Sequence, residues 1–157
     1  MPKTKALFAA VLLSLASSIA AVPAALAADG LLVIKPSNHS VKDTLNKLTG
    51  ILSRKGIRVI ALIDHAAGAK KVGLKLPPTQ LLIFGNPKMG TPLMLSKRTM
   101  GLELPMKVLA YQDDKGKVWL AYTRPDVLKQ RNGITNRDPL FAKMTKVLDK
   151  ITDKAAQ

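Results

Sequence analysis

Two apolar runs frame the middle of this chain, and each ends in a segment rich in polar residues and glycine. Ile57–Ile63 runs into Asp64-His65-Ala66-Ala67-Gly68, and Thr79–Phe84 runs into Gly85-Asn86-Pro87-Lys88-Met89-Gly90-Thr91. Runs of this length, bounded by turn-forming residues, predict strands. In the first, Ile57, Val59, Ala61 and Ile63 fall on one face and Ile60 and Leu62 on the other. Apolar residues on both faces predict an interior strand of a sheet covered on both sides. The segments that leave such strands are where a site is expected.

The rest of the chain supplies the partners for these strands. Leu31–Lys35 predicts a first strand that Pro36 stops. Ser40 with Asp43 three residues on is a helix-start signal. Val41, Leu45, Leu48 and Leu52 then recur at helical spacing, and Gly56 supplies the stop. His65–Val72 predicts one short helical turn. Asn86-Pro87 caps and opens another helix, which Gly90 and Pro92 limit to one or two turns. Leu104–Tyr111 and Val118–Thr123 flank Asp113-Asp114-Lys115-Gly116, a hairpin signal. Pro125–Gln130 predicts a short helix. Asp138-Pro139 predicts a last helix with a stripe of Leu140, Phe141, Met144, Val147, Leu148 and Ile151. The expectation is a single α+β domain, a two-layer sandwich with a mostly antiparallel sheet.

The N-terminus reads differently. Lys3 and Lys5 precede an uncharged stretch, Ala6–Ala21, and Ala25-Leu26-Ala27 follows as an A-x-A cleavage signal. That pattern predicts an export leader over residues 1–27, a folded domain over 28–157, and a periplasmic or secreted location. The leader is expected to be cleaved, with an uncleaved anchor as the alternative. The 157 residues include no cysteine, which excludes disulfides and thiolate chemistry.

With 25 basic and 10 acidic residues, the formal charge is +15. Such a charge favours anionic partners. The lysines are scattered, however, and only six aromatic residues are present, so nucleic acid is not an expected partner. A solvated basic surface accounts for the charge, and a small anionic ligand or an anionic envelope component is the partner that remains.

Four local patterns carry a family resemblance. They are Asp64-His65 with Ala69, the run Phe84–Thr91 reading F-G-N-P-x-x-G-T, the L-P-x-K-x-L run Leu104–Leu109, and Trp119-Leu120-Ala121-Tyr122. Together they resemble the DUF302 domain over roughly Ser40 to Ile151. The resemblance implies a β-α-β-β-α-β-β-α order and a homodimer. It implies nothing about chemistry, because the family is named for its unknown function. The chain departs from the family at Tyr111-Gln112, where an acidic residue is common.

The residues leave several functional readings open. His65 beside Asp64 has the chemistry of a general acid or base, but neighbours on a strand point to opposite faces. The structural alternative is that one of the pair closes the strand by bonding loop backbone. Gly85, Asn86, Lys88, Gly90 and Thr91 form a helix start suited to an anion, with an ordinary cap as the alternative. If the two loops leave neighbouring strand ends, then Asp64, His65, Gly85, Asn86, Lys88, Gly90 and Thr91 would share one pocket. Met89, Met94, Met100 and Met106 offer thioethers of the kind that Cu(I) prefers, but loosely spaced methionines are commonly core filler. No metal or cofactor is assigned. No G-x-S-x-G motif is present. The leading expectation is a small exported binding or interaction module. An enzyme using His65 and a basic envelope protein that binds anionic polymer or lipid are the alternatives.

Overall fold

A computed structural model describes residues 30–157; the expected leader lies outside them. The elements are β1 (Leu32–Ser37), α1 (Val41–Arg54), β2 (Arg58–Asp64), α2 (His65–Lys71), β3 (Thr79–Gly85), α3 (Pro87–Ser96), β4 (Met106–Gln112), β5 (Val118–Thr123), α4 (Pro125–Arg131) and α5 (Asp138–Ala156). A 3-10 turn over Arg98–Leu102 joins α3 to the strand that follows. The five strands form one antiparallel sheet in the order β1-β5-β4-β3-β2. The expected α+β architecture is therefore observed.

Local chemistry fixes the element ends. The Ser40 hydroxyl accepts the Asp43 N–H at 3.1 Å and donates to the Asp43 carboxylate at 2.6 Å. This reciprocal cap satisfies helix donors that would otherwise lack partners. After α1, Gly56 takes a positive φ of 64°, where a side chain would be strained. At the hairpin turn, Asp113 Oδ1 accepts the N–H groups of Lys115 and Lys117, and its Oδ2 accepts Trp119 Nε1 at 2.7 Å. The last helix departs from expectation. Its N-cap is Arg137, in the left-handed region, and Asp138 is its first helical residue. Pro36 does not end β1 but lies within it. An edge strand tolerates proline, because the missing N–H can lie on the solvent side.

The core lies on one side of the sheet. Leu45, Leu48 and Leu52 of α1, with Met144, Leu148 and Ile151 of α5, pack over Leu82, Val108 and Leu120 from β3, β4 and β5. Residues that alternate to the opposite side, such as Leu81, Leu109 and Trp119, are only partly buried. A polar network ties the helix layer to the sheet. Tyr122 Oη donates to Asp149 Oδ1 at 2.6 Å, and Lys35 Nζ reaches the same oxygen at 3.1 Å and Asp153 Oδ1 at 2.7 Å.

β2 corrects the expectation of an interior strand. It lies at the edge of the sheet and pairs only with β3, with a bulge between Val59 and Ala61. Ile60, Leu62 and Ile63 are 50%, 53% and 41% exposed. β3 is the interior strand, flanked by β2 and β4.

Candidate functional site

Because β2 and β3 run antiparallel, Arg58 lies opposite Gly85 at one end of the ladder and Asp64 opposite Gln80 at the other. The segments that follow the two strands therefore leave opposite ends of the sheet. At a rise of ~3.3 Å per residue, the length of β2 separates them by about 20 Å. The expected joint pocket does not form. Convergence would have required parallel strands.

At the Asp64 end, the aspartate caps α2. Its Oδ1 accepts the Ala67 N–H at 2.8 Å, and its Oδ2 accepts Gln80 Nε2 at 2.9 Å. The Ala67 bond first, and then the Gln80 bond, hold the carboxyl below its ordinary range. With both oxygens engaged, Asp64 acts as a cap and a strand tie. His65 is the exposed first residue of α2. A shallow depression beside Asp64, lined by Lys70, Leu74 and Gln80 among others, does not include His65.

At the other end, Gly85, Asn86, Gly90 and Thr91 line a cavity of about 430 Å³. β3 and β4 supply its floor with Phe84 and Met106. α3 forms one wall with Met89, Leu93 and Met94, and α5 forms the other with Met144, Val147 and Leu148. Ile57, Arg58 and Ile60 stand at the β2 side, and Leu104 and Pro105 close the loop side. Lys88 is exposed and not part of the lining.

The cap and the glycines of the Gly85–Thr91 stretch have structural work. Asn86 Oδ1 accepts the Lys88 N–H at 2.9 Å, so the side-chain oxygen that could meet an anion is already engaged. A Cβ on Gly90 would stand 3.2 Å from Leu104 Cδ1, and one on Gly85 would stand 3.4 Å from Pro105 Cβ. Both glycines thus let α3 and β3 approach the Leu104–Pro105 segment, whose peptide bond is cis. Pro92 lies inside α3 without ending it, so the helix reaches ten residues.

Four methionines (Met89, Met94, Met106 and Met144) line this one cavity, whereas Met100 is fully buried away from it. The sequence singled out the first two and Met106 but could not gather them. Met144 was legible only as one member of the α5 stripe. Nothing local marked Leu104, Val147 or Leu148 as lining residues, because only the tertiary packing brings them to α3. Thioethers and hydrocarbon can enclose an apolar molecule. They provide neither an acid nor a base, so the cavity is equipped for binding. Among the described residues, no group of three or more His, Asp or Glu side chains is placed to hold a metal.

The pattern of the family described as "Domain of unknown function DUF302" matches residues 33–151. The crystal structure of an uncharacterised conserved DUF302 protein from Bacillus stearothermophilus is similar, with a TM-score of 0.73 and 19% identity over 80% of this chain and 98% of that one. This likeness concerns the fold. The chain is also 47% identical over 112 residues to the fluoride-specific ion channel FluC 1 of Brucella suis, covering 71% of this chain and 44% of that protein. The fluoride-specific ion channel FluC 2 of Brucella melitensis matches at the same identity over 112 residues, or 42% of its length. This chain thus spans less than half the length of these curated relatives. The match across almost the whole of the described fold shows that the chain belongs to the DUF302 family.

Proposed function

We propose that this protein is a small binding module that holds a compact apolar molecule in the methionine-lined cavity between α3 and α5. One observation carries the reading: a cavity of about 430 Å³ walled almost entirely by apolar side chains, four of them methionines. Small-molecule sites typically span ~300–1,000 Å³ and are mostly apolar, with a few polar groups that orient the ligand. Thr91 and Arg58 at the lining are the groups available for that task. Unbranched, polarisable methionine side chains adapt to differing ligand shapes. The scarcity of free polar groups supports an apolar occupant over the small anion expected at the α3 N-terminus.

The test is a titration with N-phenyl-1-naphthylamine, an uncharged apolar fluorophore, against the native protein and a Thr91→Trp variant. Saturable binding of one probe per chain, weakened at least tenfold by the indole at the cavity, is the expected result. Equal binding by both proteins, or no saturation, contradicts the proposal.

The relatives favour a second reading, in which this domain works beside a membrane protein. Among the described residues no helix is long and apolar enough to cross a membrane. In the Brucella proteins, the ion channel would then reside in the portion that this chain does not match. A chain built like that extra portion would serve as a partner of a membrane channel, placed by the expected leader on the outer side of the membrane. Deleting this protein and measuring fluoride tolerance tests the reading; unchanged tolerance counts against it.

A further inference from the structure

The two edges of the sheet differ in a way that points to a partner. β1 carries Lys35 and Pro36, the residue types that discourage strand addition. β2 reads RVIALID, with five apolar residues between its charged ends and no proline. Its three largest side chains, Ile60, Leu62 and Ile63, are about half exposed. Beyond its ladder with β3, no backbone hydrogen bond among the described residues engages Arg58 to Ile63. An apolar strand with an open outer side is a template for pairing.

The strand is also complementary to itself. Arg58 and Asp64 lie three residues on either side of Ala61. Antiparallel pairing about a two-fold axis at Ala61 sets Arg58 opposite Asp64 of the partner subunit. The same register sets Val59 opposite Ile63 and Ile60 opposite Leu62, and the symmetry repeats each pair. Arg58 forms no ion pair among the described residues. Opposite charges directly across an antiparallel pair stabilise it, as do apolar pairs.

We propose that β2 docks a second copy of this chain, antiparallel about Ala61, to make one continuous sheet across two subunits. The charge pattern selects this occupant, because an unrelated strand would have no reason to carry the reversed sequence of charges. The pairing reaches the cavity as well, since Arg58 and Ile60 line it. Leu62 and Asp64 of the partner subunit come beside those two residues, so each cavity is completed at its β2 side by the other chain.

The absence of native cysteine makes the test direct. Residues opposite each other at such an axis have Cα atoms about 4.5 or 5.5 Å apart, within the ~4.4–6.8 Å that a disulfide spans. An Ala61→Cys variant should oxidise to a covalent dimer, whereas a Lys75→Cys control, exposed in the α2–β3 connection, should not. Sedimentation should show a dimer for the native protein. Arg58→Glu, which makes two like-charge pairs, should weaken dimerisation at least tenfold, and Arg58→Glu/Asp64→Arg should recover it. Leu62→Lys, at an exposed position, should also yield a monomer with unchanged circular dichroism. A native protein that stays monomeric with the Ala61→Cys thiol free leaves the edge to a different chain and overturns the proposal. A native dimer in which the Ala61→Cys thiols remain free, or which Arg58→Glu and Leu62→Lys leave intact, places the contact elsewhere and overturns it equally. None of these readouts depends on what the cavity binds.

Discussion

Replacing Tyr122 with Phe removes one hydroxyl from the network that joins β5 to α5, and its effect should depend on pH. The ring is 3% exposed, and its Oη donates to Asp149 Oδ1 at 2.6 Å. Burial first, and then the Asp149 bond, push the phenol above its ordinary pKa of 10.0, so it stays a donor throughout the neutral range. The same bond is the largest cause holding the Asp149 carboxyl below its ordinary 3.8, with Lys35 adding to it. A hydrogen bond to a charged group contributes ~1.5–3 kcal/mol when well shielded. The Asp149 side chain is 45% exposed, and water replaces part of the lost bond, so about 1–1.5 kcal/mol is expected. For a domain of this size the variant should melt about 3–6 °C lower near neutral pH.

The sign of the pH effect follows from linkage. A carboxyl with a depressed folded pKa contributes stability above its unfolded value of 3.8, and that contribution disappears as pH falls through the folded value. Thermal melts of native protein and Tyr122→Phe, followed by circular dichroism from about pH 7 down to about pH 2.5, should therefore converge on the acid side. A gap that stays constant across this range would refute the reasoning, since the hydroxyl would then act independently of the carboxylate.

Three further perturbations test other parts of the account. Leu48 is fully buried between α1 and the sheet, so Leu48→Ala should cost about 2–5 kcal/mol in chemical denaturation; a loss well under 1 kcal/mol would mean that the core is not packed as described. Asp64→Ala should speed amide exchange at Ala67 and loosen the first turn of α2 while leaving the cavity intact, because the carboxylate accepts that N–H; unchanged exchange would show that the cap is not formed. His65→Ala should leave apolar-probe affinity unchanged, as His65 lies at the far end of the β2–β3 ladder; a tenfold loss would show that the two ends are coupled.

Features set by neighbours in sequence were legible before the fold was known. The Ser40–Asp43 cap, the Asn86-Pro87 helix start, the Asp113–Gly116 turn and the apolar stripe of α5 each depend on a few adjacent residues, and all are present. The position of β2 was not legible. Its composition suits an interior strand, but sheet order is set by long-range pairing: β5 is inserted beside β1, and β2 is left outside. The expected joint pocket failed for a related reason. A connection as long as that between Asp64 and Thr79 permits either strand direction, and only the antiparallel choice separates the two loops. The cavity was half legible, since Gly85, Asn86, Gly90 and Thr91 belong to it. Its opposite wall comes from Met144, Val147 and Leu148, more than fifty residues later, where an apolar stripe has the same pattern whether it covers a core or a cavity.

The cavity's methionines allow the binding proposal to be read residue by residue. With methionine methyl groups carbon-13 labelled, N-phenyl-1-naphthylamine would be titrated into the native protein and the methyl resonances followed by NMR. The account predicts saturable shifts at Met89, Met94, Met106 and Met144, and an unmoved resonance for Met100, which is fully buried outside the cavity. Shifts spread evenly over all five, or none at the four that line the cavity, would contradict it.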